Sequence, residues 1–125
     1  MKYFAVLGRI LYSLIFFTAV SHFKHPAIAH GEAAGVPMAS IMVPLSGVIA
    51  IIGGLSIALG YKARWGAWLI VLFLVPVTLM MHAFWKSPDA HTAEMQQIMF
   101  FKNVSMLGAA LLITQVGSGP ASLRP

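Results

Sequence analysis

Few side chains in this 125-residue sequence could do chemistry, and most of them gather in three places. His22, Lys24 and His25 close the first apolar stretch, His82 and Trp85 close the third, and Lys102 with Asn103 opens the fourth. Neutral imidazoles converging there could ligate a metal or haem, or hydrogen-bond a quinone carbonyl. His22 and His25 are three apart, on roughly one face if the helix continues that far. A metal set of His22, His25 and His82 is the weaker reading, because the three have no strong ligand spacing. The competing reading is interfacial histidines beside an aromatic belt of Phe23, Phe84, Trp85, Phe100 and Phe101.

Arg9 stands apart. An ionisable group inside a membrane is costly and marks function by default. At about two turns into its helix, Arg9 can also snorkel to lipid phosphates as a plain anchor. No acid falls in any apolar stretch, which excludes a pump-type relay of buried carboxylates. The absence of cysteine excludes disulfides, thiolate metal sites and thiol redox chemistry.

The elements that must position these residues are apolar. The chain is 59% hydrophobic and 9% charged, with mean hydropathy +0.86, where soluble domains carry about 25% charged residues. That composition excludes a soluble enzyme, a disordered tail and a nucleic-acid-binding module. The +5 net charge comes from scattered basic residues and fits membrane orientation and anionic head groups instead. Lipid is the expected solvent.

Four segments reach the length a bilayer requires, roughly 17–25 residues: about 3–23, 38–60, 65–85 and 96–116. The expected fold is all-α, a single antiparallel four-helix transmembrane bundle over 1–125 with a longer first outer loop. That loop carries His25-Pro26, Gly31, Gly35 and Pro37, room for a short interfacial helix. Tyr61-Lys62-Ala63-Arg64 is a tight turn, and Ser87-Pro88-Asp89 favours another. Beyond span four, Gly117-Ser118-Gly119-Pro120 reads as a loose tail.

With cytosolic termini, Lys2, Arg9, Lys62, Arg64 and Arg124 lie inside, and Lys24, Lys86 and Lys102 outside. Lys2 and Ala27-Ile28-Ala29 loosely resemble a cleaved signal. Arg9 and the polar approach to that site favour a permanent first helix. Helices in lipid associate through small residues. Ser46, Ala50, Gly54 and Ala58, each four apart, form such a stripe, and Ser105, Gly108 and Ala109 are the expected counterpart on span four. Pro44 and Pro76 fall inside spans and read as kinks relieved by neighbours.

A family resemblance runs along these residues. Leu7-Gly8-Arg9-Ile10, Ser21-His22-Phe23-Lys24, Gly53-Gly54-Leu55 and Leu59-Gly60 resemble the DoxX family in their order. So do Lys62-Ala63-Arg64, His82-Ala83-Phe84-Trp85, Phe101-Lys102-Asn103 and Leu107-Gly108. The resemblance implies four transmembrane helices in a bacterial cytoplasmic membrane and an accessory subunit of a quinone-linked oxidoreductase system. His82, Lys102, Asn103 and Arg9 are the cofactor-binding candidates it carries over, with quinone the ligand and no catalytic residue assigned. The sequence departs from the family at Ala50, where many members have glutamate, and at His22, where glycine is common. The alternatives are a structural or assembly partner without chemistry of its own, and a small transporter. Expected partners are the lipid bilayer and either a second copy or a membrane or redox protein, with no nucleic acid.

Overall fold

A computed structural model of the chain describes residues 2–117 and Gly119, with nothing described of the Lys2 side chain. Arg124 and the tail residues Ser118 and Pro120 lie outside the described residues. Five α-helices form: α1 (Lys2–Phe17), α2 (His25–Ala33), α3 (Ala39–Leu59), α4 (Ala63–Met81) and α5 (Ala90–Val116). A 3-10 segment, Thr18–Phe23, prolongs α1, and a 3-10 turn, Phe84–Lys86, precedes α5. There is no strand among the described residues.

Four of the helical runs are long and apolar enough to cross a bilayer: Tyr3–Phe23, Ala39–Leu59, Ala63–Lys86 and Ala90–Val116. At 1.5 Å per residue, the 21 residues of α3 extend about 31 Å, close to the hydrocarbon thickness. Leu11, Ile52, Leu72 and Leu112 face outward from the four helices. An outer surface of that kind suits lipid. The chain is therefore an all-helical, multi-pass membrane protein.

The sequence sets each boundary locally. Gly60 ends α3 with φ +69°, the left-handed cap that glycine takes without steric penalty. Ser56 Oγ donates to the Tyr61 carbonyl at 2.6 Å, with the Lys62 carbonyl 3.0 Å away. That hydroxyl stabilises a turn in which Lys62 itself is left-handed. Pro26 opens α2, where a missing N–H costs nothing. Asp89 caps α5 by accepting the Thr92 N–H at 2.6 Å. The helix consequently starts at Ala90, about two polar turns before the apolar run expected from Gln96. Both α3 and α4 continue through their prolines.

Helix α3 is the centre. It packs against α1 and its 3-10 extension on one side, against α4 on the other, and against α2. The small stripe makes this possible, with Ala50 and Gly54 buried. A Cβ on Gly47 would sit 2.8 Å from the Ala19 carbonyl oxygen, so that helix pair meets backbone to backbone. Next comes α5, packed on α4. Its buried face is Asn103, Ala110 and Thr114, not the expected Ser105, Gly108 and Ala109. Ser105 and Gly108 are exposed, Ala109 is only half-buried, and a Cβ on Gly108 would meet nothing within 4 Å. An edge helix has one long neighbour, and the polar Asn103 and Thr114 take that dry side in preference to lipid.

Helices α1 and α5 do not pack along their lengths. The Tyr12 hydroxyl ties them together, donating to the Met106 carbonyl at 2.6 Å.

Candidate functional site

The side left between α1 and α5 holds a cavity of about 160 Å³. Phe16, Phe73 and Leu74 give it apolar walls, and His22, His82 and Asn103 bring polar atoms. Ile15 and Thr18 on one lip are exposed, which leaves the cavity open between α1 and α5.

Each polar side chain is held by its own local device. His22 belongs to the 3-10 segment, which brings its ring to Ser46 of α3 and stacks it on Phe73 of α4, centroids 5.9 Å apart. Ser46 Oγ lies 3.0 Å from His22 Nδ1 and donates its only proton to the Val43 carbonyl at 2.6 Å. With that proton on Val43, the serine oxygen accepts from Nδ1–H, the tautomer that leaves Nε2 of a neutral His22 as a lone-pair acceptor. His82 follows the last residue of α4, and its Nδ1 is 2.8 Å from Gln96 Oε1. An amide oxygen can only accept, so Nε2 of a neutral His82 is an acceptor too. Asn103 is 5% exposed, and its side-chain amide bonds to no described residue.

Two of the sequence candidates, His82 and Asn103, thus line one cavity, and His22 joins them from the weaker metal set. The other candidates are elsewhere. Lys102 is exposed on the adjoining face of α5, its Nζ 3.4 Å from Met99 Sδ. Arg9 is buried at 9% exposure on α1, about 20 Å along the helix axis from His22. His25 is exposed at the start of α2. Among the described residues no three His, Asp or Glu side chains form a group that could hold a metal ion.

Sequence reasoning missed Ser46 and Gln96 as the groups that fix both imidazole tautomers, and Phe73 as the shelf under His22. Ser46 carried a signal only as a small residue. Of the expected belt, Phe84, Trp85, Phe100 and Phe101 form an edge-on aromatic cluster beside His82 in sequence.

No carboxylate, lysine or thiol lines the cavity. The donor count also disagrees with the expected quinone. Quinone carbonyls only accept, and both histidines offer them lone pairs, leaving the Asn103 NH2 as the unspent donor.

The sequence profile of the SURF4 family matches residues 1–124. The Surfeit locus protein 4 homolog of Schizosaccharomyces pombe is 25% identical over 122 residues, 97% of this chain and 36% of that protein. The chain therefore spans little more than a third of the length of this relative. No solved structure matches it. These matches overturn the DoxX resemblance, and with it the quinone and the oxidoreductase subunit. The bacterial inner membrane rested on the same resemblance and loses its support. Its short motifs of glycine, small and apolar residues are what any closely packed membrane helix requires, so their order alone misled.

Proposed function

This chain belongs to the SURF4 family, and from that premise we propose that it works inside the bilayer by binding, not by catalysis. The observation that carries this reading is Asn103. Asn103 is 5% exposed and lines the cavity, and its carboxamide has no hydrogen-bond partner among the described residues, which leaves it to whatever fills the cavity. The lining residues can hold and orient a guest, and none is paired as nucleophile and base. The guest enters sideways, between α1 and α5, where the lip is exposed and no helix stands in the way.

An alkyl diazirine in phosphatidylcholine nanodiscs tests this. Photolabelling at Met106, a lining residue, should saturate in the wild type and be lost in Asn103→Leu, which keeps the volume and removes the amide. Unsaturable labelling, equal to that at lipid-facing Leu112, would refute binding.

The orientation we propose puts both termini in the cytosol. Lys62 and Arg64 support it at the α3–α4 turn, against Lys24, Lys86 and Lys102 at the opposite end. Single cysteines at Ala63 and Ala90 should label from opposite faces of the membrane, Ala63 from the cytosol. Cytosolic labelling of Ala90 instead would reverse the direction.

A further inference from the structure

The tautomers narrow the guest to a chemical class. Nothing acidic lines the cavity, so an imidazolium there would sit without a counter-ion in a medium that penalises charge. The lining offers its guest two imidazoles, His22 and His82, and no charge partner for either. Each has its Nδ1 proton committed, His22 to Ser46 and His82 to Gln96. A His22 ring nitrogen also reaches the Val43 backbone, and His82 makes no second hydrogen bond among the described residues. The Thr18 hydroxyl is already spent on the Ile15 carbonyl. The cavity thus presents two lone pairs from the rings, and a carboxamide that can both donate and accept.

We propose that the cavity binds an uncharged apolar molecule by its hydroxyl group. The O–H is donated to the Nε2 of His22 or His82, and the hydroxyl oxygen accepts from the Asn103 NH2. A lone carbonyl would satisfy the asparagine and leave both ring lone pairs dry. An ammonium or carboxylate would bring an unpaired charge. About 160 Å³ is the liquid share of roughly five waters, so the cavity takes a head group and the first carbons of a chain. The remaining chain passes between Ile15 and Met106 into the bilayer. The aromatic shelf of Phe73 and Phe16 packs the first carbons.

This identification rests on the binding reading above, and its test separates the two. The diazirine labelling of Met106 in nanodiscs is competed with dodecanol, with dodecanone and with butanol. Dodecanol should compete at least about tenfold better than dodecanone, the worth of one well-made hydrogen bond. Butanol acting as well as dodecanol, at equal concentration in the bilayer, identifies a short soluble alcohol as guest. A dodecanol advantage identifies a membrane one. His22→Phe keeps the stacking partner for Phe73 and deletes the acceptor, and should reduce the dodecanol preference several-fold. Should that variant misfold, the 15N resonance of His22 Nε2 in the wild type serves instead, moving upfield with dodecanol and staying still with dodecanone. Equal competition by alcohol and ketone, with labelling still saturable, would overturn the hydroxyl assignment and leave binding intact. Unsaturable labelling would fell both.

Discussion

Helices α3 and α5 carry the same kind of small-residue signal and use it in opposite ways. In α3 the glycines lie against other backbones, because α1 stands on one side and α4 on the other. In α5, Gly108 faces open space and the contact falls to Asn103, Ala110 and Thr114. Small residues permit close approach, but the number of neighbours decides which face is approached. A central helix has little choice of rotation. The edge helix α5 turns Asn103 and Thr114 inward and leaves Ser105 and Gly108 exposed.

The largest effect expected from this difference is at Ile57, which is fully buried in α3. Ile57→Ala should cost about 2–5 kcal/mol in unfolding from mixed micelles. Leu112→Ala on the outer face of α5 should cost under about 0.5 kcal/mol. Similar losses at the two would erase the contrast.

A smaller effect comes from adding bulk. A Cβ on Gly54 would lie 3.1 Å from the Phe16 Cβ and 3.5 Å from the Ser13 carbonyl oxygen. Gly54→Leu should therefore cost about 1–3 kcal/mol through overpacking. Gly108→Leu has room and should leave the same unfolding midpoint unchanged or raise it. A destabilising Gly108→Leu would mean that the outer face of α5 is covered in the membrane.

The smallest effect concerns the end of α5. The Thr92 N–H holds the Asp89 carboxyl below the usual aspartate range. With the folded pKa lower than the unfolded one, the cap contributes fully above the unfolded value and is lost as pH falls through the folded one. Exchange protection of the first-turn amides of α5 should decline as pH is lowered through the carboxylate range. In Asp89→Ala it should start low and show no such step. No counterpart exists at the α3 start, where Met38 makes no side-chain cap.

The same contrast explains what could be read from the residues. The four apolar runs and the Tyr61–Arg64 turn follow from hydropathy and turn chemistry, which are local. Ala50 and Gly54 were legible because four-residue spacing on a crowded helix leaves one face to bury. Rotation of α5 was not, since a helix apolar nearly all round has no periodic stripe to orient it. Of the site, His82 and Asn103 were legible as polar groups at adjoining helix ends. Lys102 was grouped with them by sequence adjacency, though neighbours in a helix point about 100° apart. The roles of Ser46 and Gln96 depend on which proton each hydroxyl or amide has left to give, and only the assembled structure decides that.

The Tyr12–Met106 hydrogen bond joins residues 94 apart in the sequence, and that separation has a consequence for biogenesis. A chain emerging at about 5–20 residues per second delivers Met106 roughly 5–20 s after Tyr12. During that interval α1, α3 and α4 can already pair through contacts nearer in sequence, whose closure entropy is lower. The wall bearing Asn103 arrives after the walls from α1, α3 and α4, so a nascent chain halted before α5 lacks one side of the cavity.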